Sequence, residues 1–268
     1  MEEHILKRFE LLKKVGSGAY GHVWKAINRR TKATVALKKI FDAFQHSTDA
    51  QRTFREVTLL NELNHPNIIR LHNVIRAEND KDLYLVFEYM EADLHNVISQ
   101  RILQDIHIRF VVYQLAKAIK YLHSAELIHR DLKPSNILVN SDCHIKICDF
   151  GLVRCLAADK AGDCVVLTEE VATRWYRAPE VLLGSKSYDK PADIWSLGCI
   201  LAEMLLFKPM FPGNSTLNQL EKILTFTGKP SNEDINSLDS ELARTMIDSI
   251  KSVKGKTIKE WFNSSVPA

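Results

Sequence analysis

His129-Arg130-Asp131-Leu132-Lys133-Pro134-Ser135-Asn136, followed thirteen residues later by Asp149-Phe150-Gly151, decides how this chain of 268 residues is read. Within one short loop an aspartate offers a proton acceptor, a lysine a cation and an asparagine an amide oxygen. The loop reproduces the pattern H-R-D-L-x-x-x-N in full, and Asp149 adds a second hard oxygen donor in a D-F-G turn. That inventory suits phosphoryl transfer, which asks for positioning and neutralised charge more than for covalent help. Taken singly, each piece has a bland reading as a polar turn or a capped helix. Their joint occurrence in one order does not.

Toward the N-terminus, Gly16-Ser17-Gly18-Ala19-Tyr20-Gly21-His22-Val23 matches G-x-G-x-x-G-x-V. Glycines let backbone N–H groups approach phosphates with no Cβ in the way. Dinucleotide-binding folds use the same glycines but run directly into a helix, whereas His22 to Asn28 alternates like a strand. The next strand-like run holds Val35-Ala36-Leu37-Lys38, the V-A-I-K pattern whose lysine meets the α- and β-phosphates. Glu56, on a following helical stretch, is the expected partner of Lys38, and the pair forms only with that helix swung inward.

The flanking periodicity supports a strand-rich N-terminal part. Phe9 to Leu12, Gly21 to Ile27, Thr34 to Ile40, Ile68 to Ile75 and Leu83 to Glu88 read as strands. Asp49 to Leu63 reads as a helix with Phe54, Val57, Leu60 and Leu63 on its apolar stripe. Beyond residues 88–93 the pattern becomes helical: Gln104 to His123, with Ile108, Val111, Leu115, Ile119 and Leu122 inward, then Asp193 to Phe207 and Thr216 to Thr227. The expected fold class is α+β and bilobal. A small antiparallel-sheet lobe with one helix covers residues 1–88, and a larger helical lobe covers 89–268.

Composition excludes several classes. Apolar residues are 46% and charged residues 26%, ordinary for a globular protein, and a net charge of +3 argues for neither nucleic acid nor membrane binding. The five cysteines include no C-x-x-C pair. Free thiols in a reducing compartment, cytoplasmic or nuclear, are expected. There is no basic-then-apolar leader and no apolar run of about 20 residues.

With these motifs in place the chain resembles the eukaryotic protein kinases from about Phe9 onward. Thr168-Glu169-Glu170-Val171-Ala172-Thr173-Arg174-Trp175-Tyr176-Arg177-Ala178-Pro179-Glu180 is similar to the activation and substrate-binding segment of mitogen-activated protein kinases. Phe41 to Phe44, Thr53 to Glu56 and Leu83 to Glu88 resemble the atypical extracellular signal-regulated kinases of the mitogen-activated protein kinase 15 type. The resemblance implies ATP and Mg²⁺ as cofactors and Ser/Thr-Pro sites in protein substrates, with the chain acting as a monomer. It implies Asp131, Lys133, Lys38, Glu56 and Thr173 as the catalytic set, with Asn136 and Asp149 holding metal. Nucleotide contacts would come from Val15, residues 16–23, Ala36, Lys38, the hinge Glu88 to Met90 behind Phe87, and Asp93. Arg177 would shape a pocket for the substrate proline. Cys148 would be an inert wall, having no base to activate it.

Two departures from the family pattern stand out. The family phosphorylates Thr-x-Tyr, but here Glu170 occupies the tyrosine position after Thr168. Either its carboxylate pairs with Arg174 and Arg177 in place of a phosphate, or it is a solvated loop acid. Thr168, once phosphorylated, would be read by Arg55, Arg130 and Arg154. Secondly, family C-lobes continue past Trp261-Phe262 through two more helices, one bearing an arginine partner for Glu180. The expectation is therefore a truncated C-lobe, with a buried, unpaired Glu180 costing about 3–5 kcal/mol. That opens an alternative, a catalytically impaired kinase-like scaffold. The basic stretch Lys251 to Lys259 reads as a solvated segment.

Overall fold

The computed structural model describes residues 1–18, 21–156, 174–185, 189–250 and 258–262. Two compact units emerge: Met1–Asp93 with Ile137–Val153, and Leu94–Asn136 with Arg154–Ala268.

In the first unit the strand-like runs pair into one five-stranded antiparallel sheet of order β1-β2-β3-β5-β4. The strands are β1 (Phe9–Gly18), β2 (Gly21–Asn28), β3 (Thr34–Ile40), β4 (Leu71–Arg76) and β5 (Leu83–Glu88). The β2–β3 turn closes because the Asn28 side-chain oxygen accepts from the amides of Arg30 and Thr31, a local turn that asparagine favours. Along β3, Val35 and Leu37 point to one face and Ala36 and Lys38 to the other, as a period of two requires. The Val35 face joins Ala26, Val86, Phe9 and Tyr84 in a core that the short helix α1 (Glu3–Arg8) closes with its buried Ile5.

Two expectations need correction. The helix α2 (Ser47–Glu62) forms, but Phe54 is 72% exposed and the inward stripe is Thr53, Glu56 and Leu60. Leu60 is inward as expected, but a helix that faces a lysine needs a carboxylate on its buried side, and Thr53 and Glu56 take the places expected of Phe54 and Val57. The strand expected from Ile68 begins instead at Leu71. Its first residues are taken by another partner: the Ile69 amide donates to Ile147 and the Ile147 amide to Asn67. That partner, β9 (Ile145–Ile147), forms a three-stranded sheet with β8 (Ile137–Val139) and β6 (Ala92–Asp93). The Asn67 side chain donates to the Ile145 carbonyl and tightens the same junction.

The second unit is helical. In α4 (Asp105–Ser124) all five expected inward residues are buried. After α3 (Leu94–Ser99) and α4 come α5 (Pro179–Leu182), α6 (Pro191–Leu206) and α7 (Thr216–Thr227). Then follow α8 (Asn232–Ser237), α9 (Glu241–Ser249) and α10 (Ile258–Phe262). Proline opens α5 and α6 at the first turn, where its missing N–H costs nothing. Glu180, on α5, is half-buried rather than buried, so the cost of a fully desolvated carboxylate does not apply to it. Among the described residues no helix is long and apolar enough to cross a membrane.

One ionic cluster ties α1 to the sheet. Lys39 Nζ lies 2.9 Å from Asp82 and 3.4 Å from Glu2, and Asp82 also accepts the Asp42 amide at 2.9 Å. Burial alone would raise the Asp82 pKa, but the Asp42 amide and Lys39 outweigh it and hold the carboxyl below its ordinary 3.8. The stability it contributes is therefore complete above pH 3.8 and fades as pH falls through the lower native value. We expect Asp82→Asn to cost about 2–3 kcal/mol at neutral pH. Its melting-temperature deficit against wild type should shrink on acidification below pH 3.8, as measured by circular dichroism.

Candidate functional site

The glycine segment lies where β1 turns into β2, pairing Gly16 with Val23, Ser17 with His22 and Gly18 with Gly21. A Cβ on Gly21 would drive into the Lys39 carbonyl, so the fold itself demands glycine there. At Gly18 a Cβ would meet no atom within 4 Å. Packing against the described residues does not require glycine there. Ser17 Oγ lies 3.1 Å from His22 Nδ1 and braces the hairpin. Val15 is exposed at its base. Ala19 and Tyr20, at the tip, lie outside the described residues.

On the face opposite Val35 and Leu37, Lys38 stands across from Val23 on β2 and Leu85 on β5. Its Nζ donates to Glu56 at 3.1 and 3.4 Å. Burial would lower the Lys38 pKa, but the Glu56 and Asp149 carboxylates outweigh it and raise the ammonium above its ordinary value. Lys38 therefore stays charged. Phe87 places its ring 6.0 Å from the same ammonium, and Ala36 pairs with Phe87 across the strands. The Glu88 carboxylate is occupied by the Arg70 amide and by Lys146. Asp93 ends β6, paired with Leu138.

Asp149 adopts a left-handed backbone, φ 65° and ψ 73°, uncommon for a non-glycine residue and a mark of functional sites. The following turn is held from α2: Arg55 donates to the Gly151 carbonyl at 2.6 Å, and Phe150 is fully buried. So α2 grips both the lysine, through Glu56, and the aspartate turn, through Arg55. Burial and the neighbouring Asp149 carboxylate push the Cys148 thiol well above its ordinary pKa despite Lys38. It remains protonated and a poor nucleophile.

In the second unit, Asp131, Lys133 and Asn136 converge. Lys133 donates to Asp131 Oδ2 at 2.7 Å, and the Asn136 amide donates to the same oxygen at 3.0 Å and to the Asp131 carbonyl at 2.9 Å. The loop's entry is set by a residue that pattern reading did not single out. Asp193, 1% exposed within the apolar helix α6, accepts from the amides of His129 (2.9 Å) and Arg130 (3.0 Å) and from His123 Nε2 (2.9 Å). Arg130 is bent to φ 72° between them. A lone carboxylate amid Ala192, Ile194 and Trp195 was the available signal.

The segment around Arg174 and Arg177 is anchored in the same unit. Arg174 and Arg177 bracket a one-turn helix whose Tyr176 hydroxyl donates to Glu203 at 2.5 Å. The Tyr176 carbonyl accepts from Ser196 at 2.8 Å. Burial raises the Glu203 pKa against the pull of that hydrogen bond. Arg154 sits on β10 (Arg154–Cys155), paired with Ile128 of β7 (Leu127–Ile128). Thr168, Glu170 and Thr173 lie outside the described residues.

Comparison with known proteins accords with this geometry. Residues 9–258 match the protein kinase domain family. The chain is 56% identical over 268 residues to extracellular signal-regulated kinase 2 of Dictyostelium discoideum, covering 99% of this chain and 73% of that protein. It is 55% identical to mitogen-activated protein kinase 15 of Xenopus laevis, covering all of this chain but only 46% of the relative. Mitogen-activated protein kinase 7 of Arabidopsis thaliana is 45% identical, over 96% of this chain and 70% of that protein. The chain belongs to the protein kinase family, as a serine/threonine kinase of the mitogen-activated group on its atypical extracellular signal-regulated branch.

Proposed function

We propose that this chain transfers the γ-phosphoryl group of ATP to serine or threonine hydroxyls that precede proline in protein substrates. The observation that carries this reading is the Asp131 carboxylate, held by Lys133 and Asn136 on a loop pinned to α6. A carboxylate so fixed can receive a hydroxyl proton while Lys133 offsets charge on the transferred group. The substrate oxygen forms its bond to γ-phosphorus as the bond to the β-phosphate oxygen breaks, ADP leaves, and the hydroxyl proton passes to Asp131. Lys38, held charged by Glu56, addresses the α- and β-phosphates. The glycine hairpin offers backbone N–H groups.

Asp149 and Asn136 offer a carboxylate and an amide oxygen, hard donors of the kind Mg²⁺ prefers over softer sites. When bound, the ion neutralises phosphate charge. The formed Lys38–Glu56 pair argues for catalysis over the scaffold alternative. Proline preference rests on Arg177, within the segment that Tyr176 fastens to α6. Free thiols suit a cytoplasmic or nuclear setting.

Asp131→Asn should lower kcat by about 10²–10⁴ in a Ser-Pro peptide phosphorylation assay, with nucleotide affinity nearly unchanged. Equal rates for both proteins would remove Asp131 from the mechanism. Control of the activation segment is a separate matter: Thr168 phosphate is read by Arg55, Arg130 and Arg154. Thr168→Ala is accordingly expected to reduce activity by about tenfold or more, measured on protein whose Thr168 phosphorylation is confirmed by mass spectrometry. Undiminished activity would leave Thr168 without a switching role.

A further inference from the structure

The face of the sheet opposite Lys38 carries a cleft of about 510 Å³ at the end of α1. Its floor is apolar: Phe9, Val35 and Val86 are 1%, 4% and 2% exposed. Its rim is basic, with Lys7, Arg8, Arg29, Arg30 and His72 around the opening. Two of these charges are matched, Lys7 by Glu3 at 2.8 Å and Arg29 by Glu10 at 3.5 Å. Arg8 lies over the Phe9 ring, 5.9 Å from its centre. Arg30 projects from the β2–β3 turn. Among the described residues neither of these two has a carboxylate partner. His72 occupies the extra position of a β-bulge, where the pairing with β5 skips from Leu71 to Asn73. Bulges re-aim a side chain away from its regular place in the pleat.

An apolar floor inside an unmatched cationic rim suits a particular ligand. A small inorganic anion has no use for the floor. A net charge of only +3 for the whole chain provides little general pull on a nucleic-acid polyanion. We propose that this cleft docks an acidic segment of a partner protein, one apolar side chain entering toward Phe9, Val35 and Val86 while flanking carboxylates meet Arg8 and Arg30. None of these residues belongs to the nucleotide or catalytic sets, so docking and phosphoryl transfer are separable.

The test is fluorescence anisotropy with a fluorescein-labelled peptide of aspartates and glutamates around one central leucine. It contains no serine, threonine or tyrosine and so cannot serve as a substrate. Saturable binding that weakens with salt is expected. The double variant R8E/R30E should bind about tenfold more weakly or worse, with ATP affinity and melting temperature kept. Replacing the peptide's leucine by alanine should cost about tenfold. Equal binding by R8E/R30E overturns the proposal. So does an alanine peptide, or a single-stranded oligonucleotide, that binds as well as the leucine peptide. Should R8E/R30E fold poorly, R30Q on the exposed turn is the reporter, with about threefold weakening expected and no change counting against the cleft.

Discussion

The second unit depends on a carboxylate placed where charge is most expensive. Asp193 lies in the first turn of α6 and is only 1% exposed, and an isolated ion so buried would cost several kcal/mol of desolvation. Three donors offset that cost: two consecutive loop amides and the His123 ring. Satisfying one carboxylate with both amides forces the backbone through the left-handed bend at Arg130. Asp131 then emerges from a point fixed to a helix rather than from a free loop. His129 completes the arrangement, fully buried, with its Nδ1 accepting the Asp131 amide at 3.3 Å. The rigid placement of Asp131 follows from the helix, not from the loop's own composition.

In the first unit the same economy is reached by charge pairing. Lys38 needs an anion, because a desolvated ammonium would otherwise lose its proton. Glu56 provides it from α2, and Arg55, one residue before, reaches the turn after Asp149. Adjacent side chains on a helix diverge by about 100°, so one helix can hold two separate strands of the site. This explains why the buried stripe of α2 is polar at its centre and why the exposed Phe54 was misread as core. Hydrophobic periodicity assumes that inward means apolar. At a functional helix that assumption fails.

What could be read in the sequence was local. The glycine segment, Lys38, the Asp131–Asn136 loop and Asp149-Phe150-Gly151 are contiguous patterns, and the strands and long helices carry plain periods of two and 3.6. What could not be read joins residues distant along the chain. Asp193 meets His129 across 64 residues, Tyr176 meets Glu203 across 27, and Asn67 meets Ile145 across 78. Each is a polar residue whose burial is decided by tertiary packing, so its own neighbours in sequence carry only a faint signal. The start of β4 shows the same limit. Ile68 and Ile69 are as apolar as any strand, yet β9 claims their backbone.

The cleft behind the sheet has an origin in simple lengths. Helix α1 has six residues and rises about 9 Å, whereas a seven-residue strand such as β3 extends about 23 Å. A cover that short buries Ile5 with the neighbouring core and ends beside the cleft. Where it stops, at Lys7, Arg8 and Phe9, the remaining floor of Val35 and Val86 is bordered by the β2–β3 turn and the β4 bulge. Basic side chains at a helix C-terminus are favoured by the helix dipole, which accounts for Lys7 and Arg8. It does not account for Arg29 and Arg30 on the facing turn. Two cationic elements converging on one cleft repel one another, a cost that an anionic ligand would remove, and the unmatched charge of Arg8 and Arg30 is where that repulsion is left unrelieved by the fold.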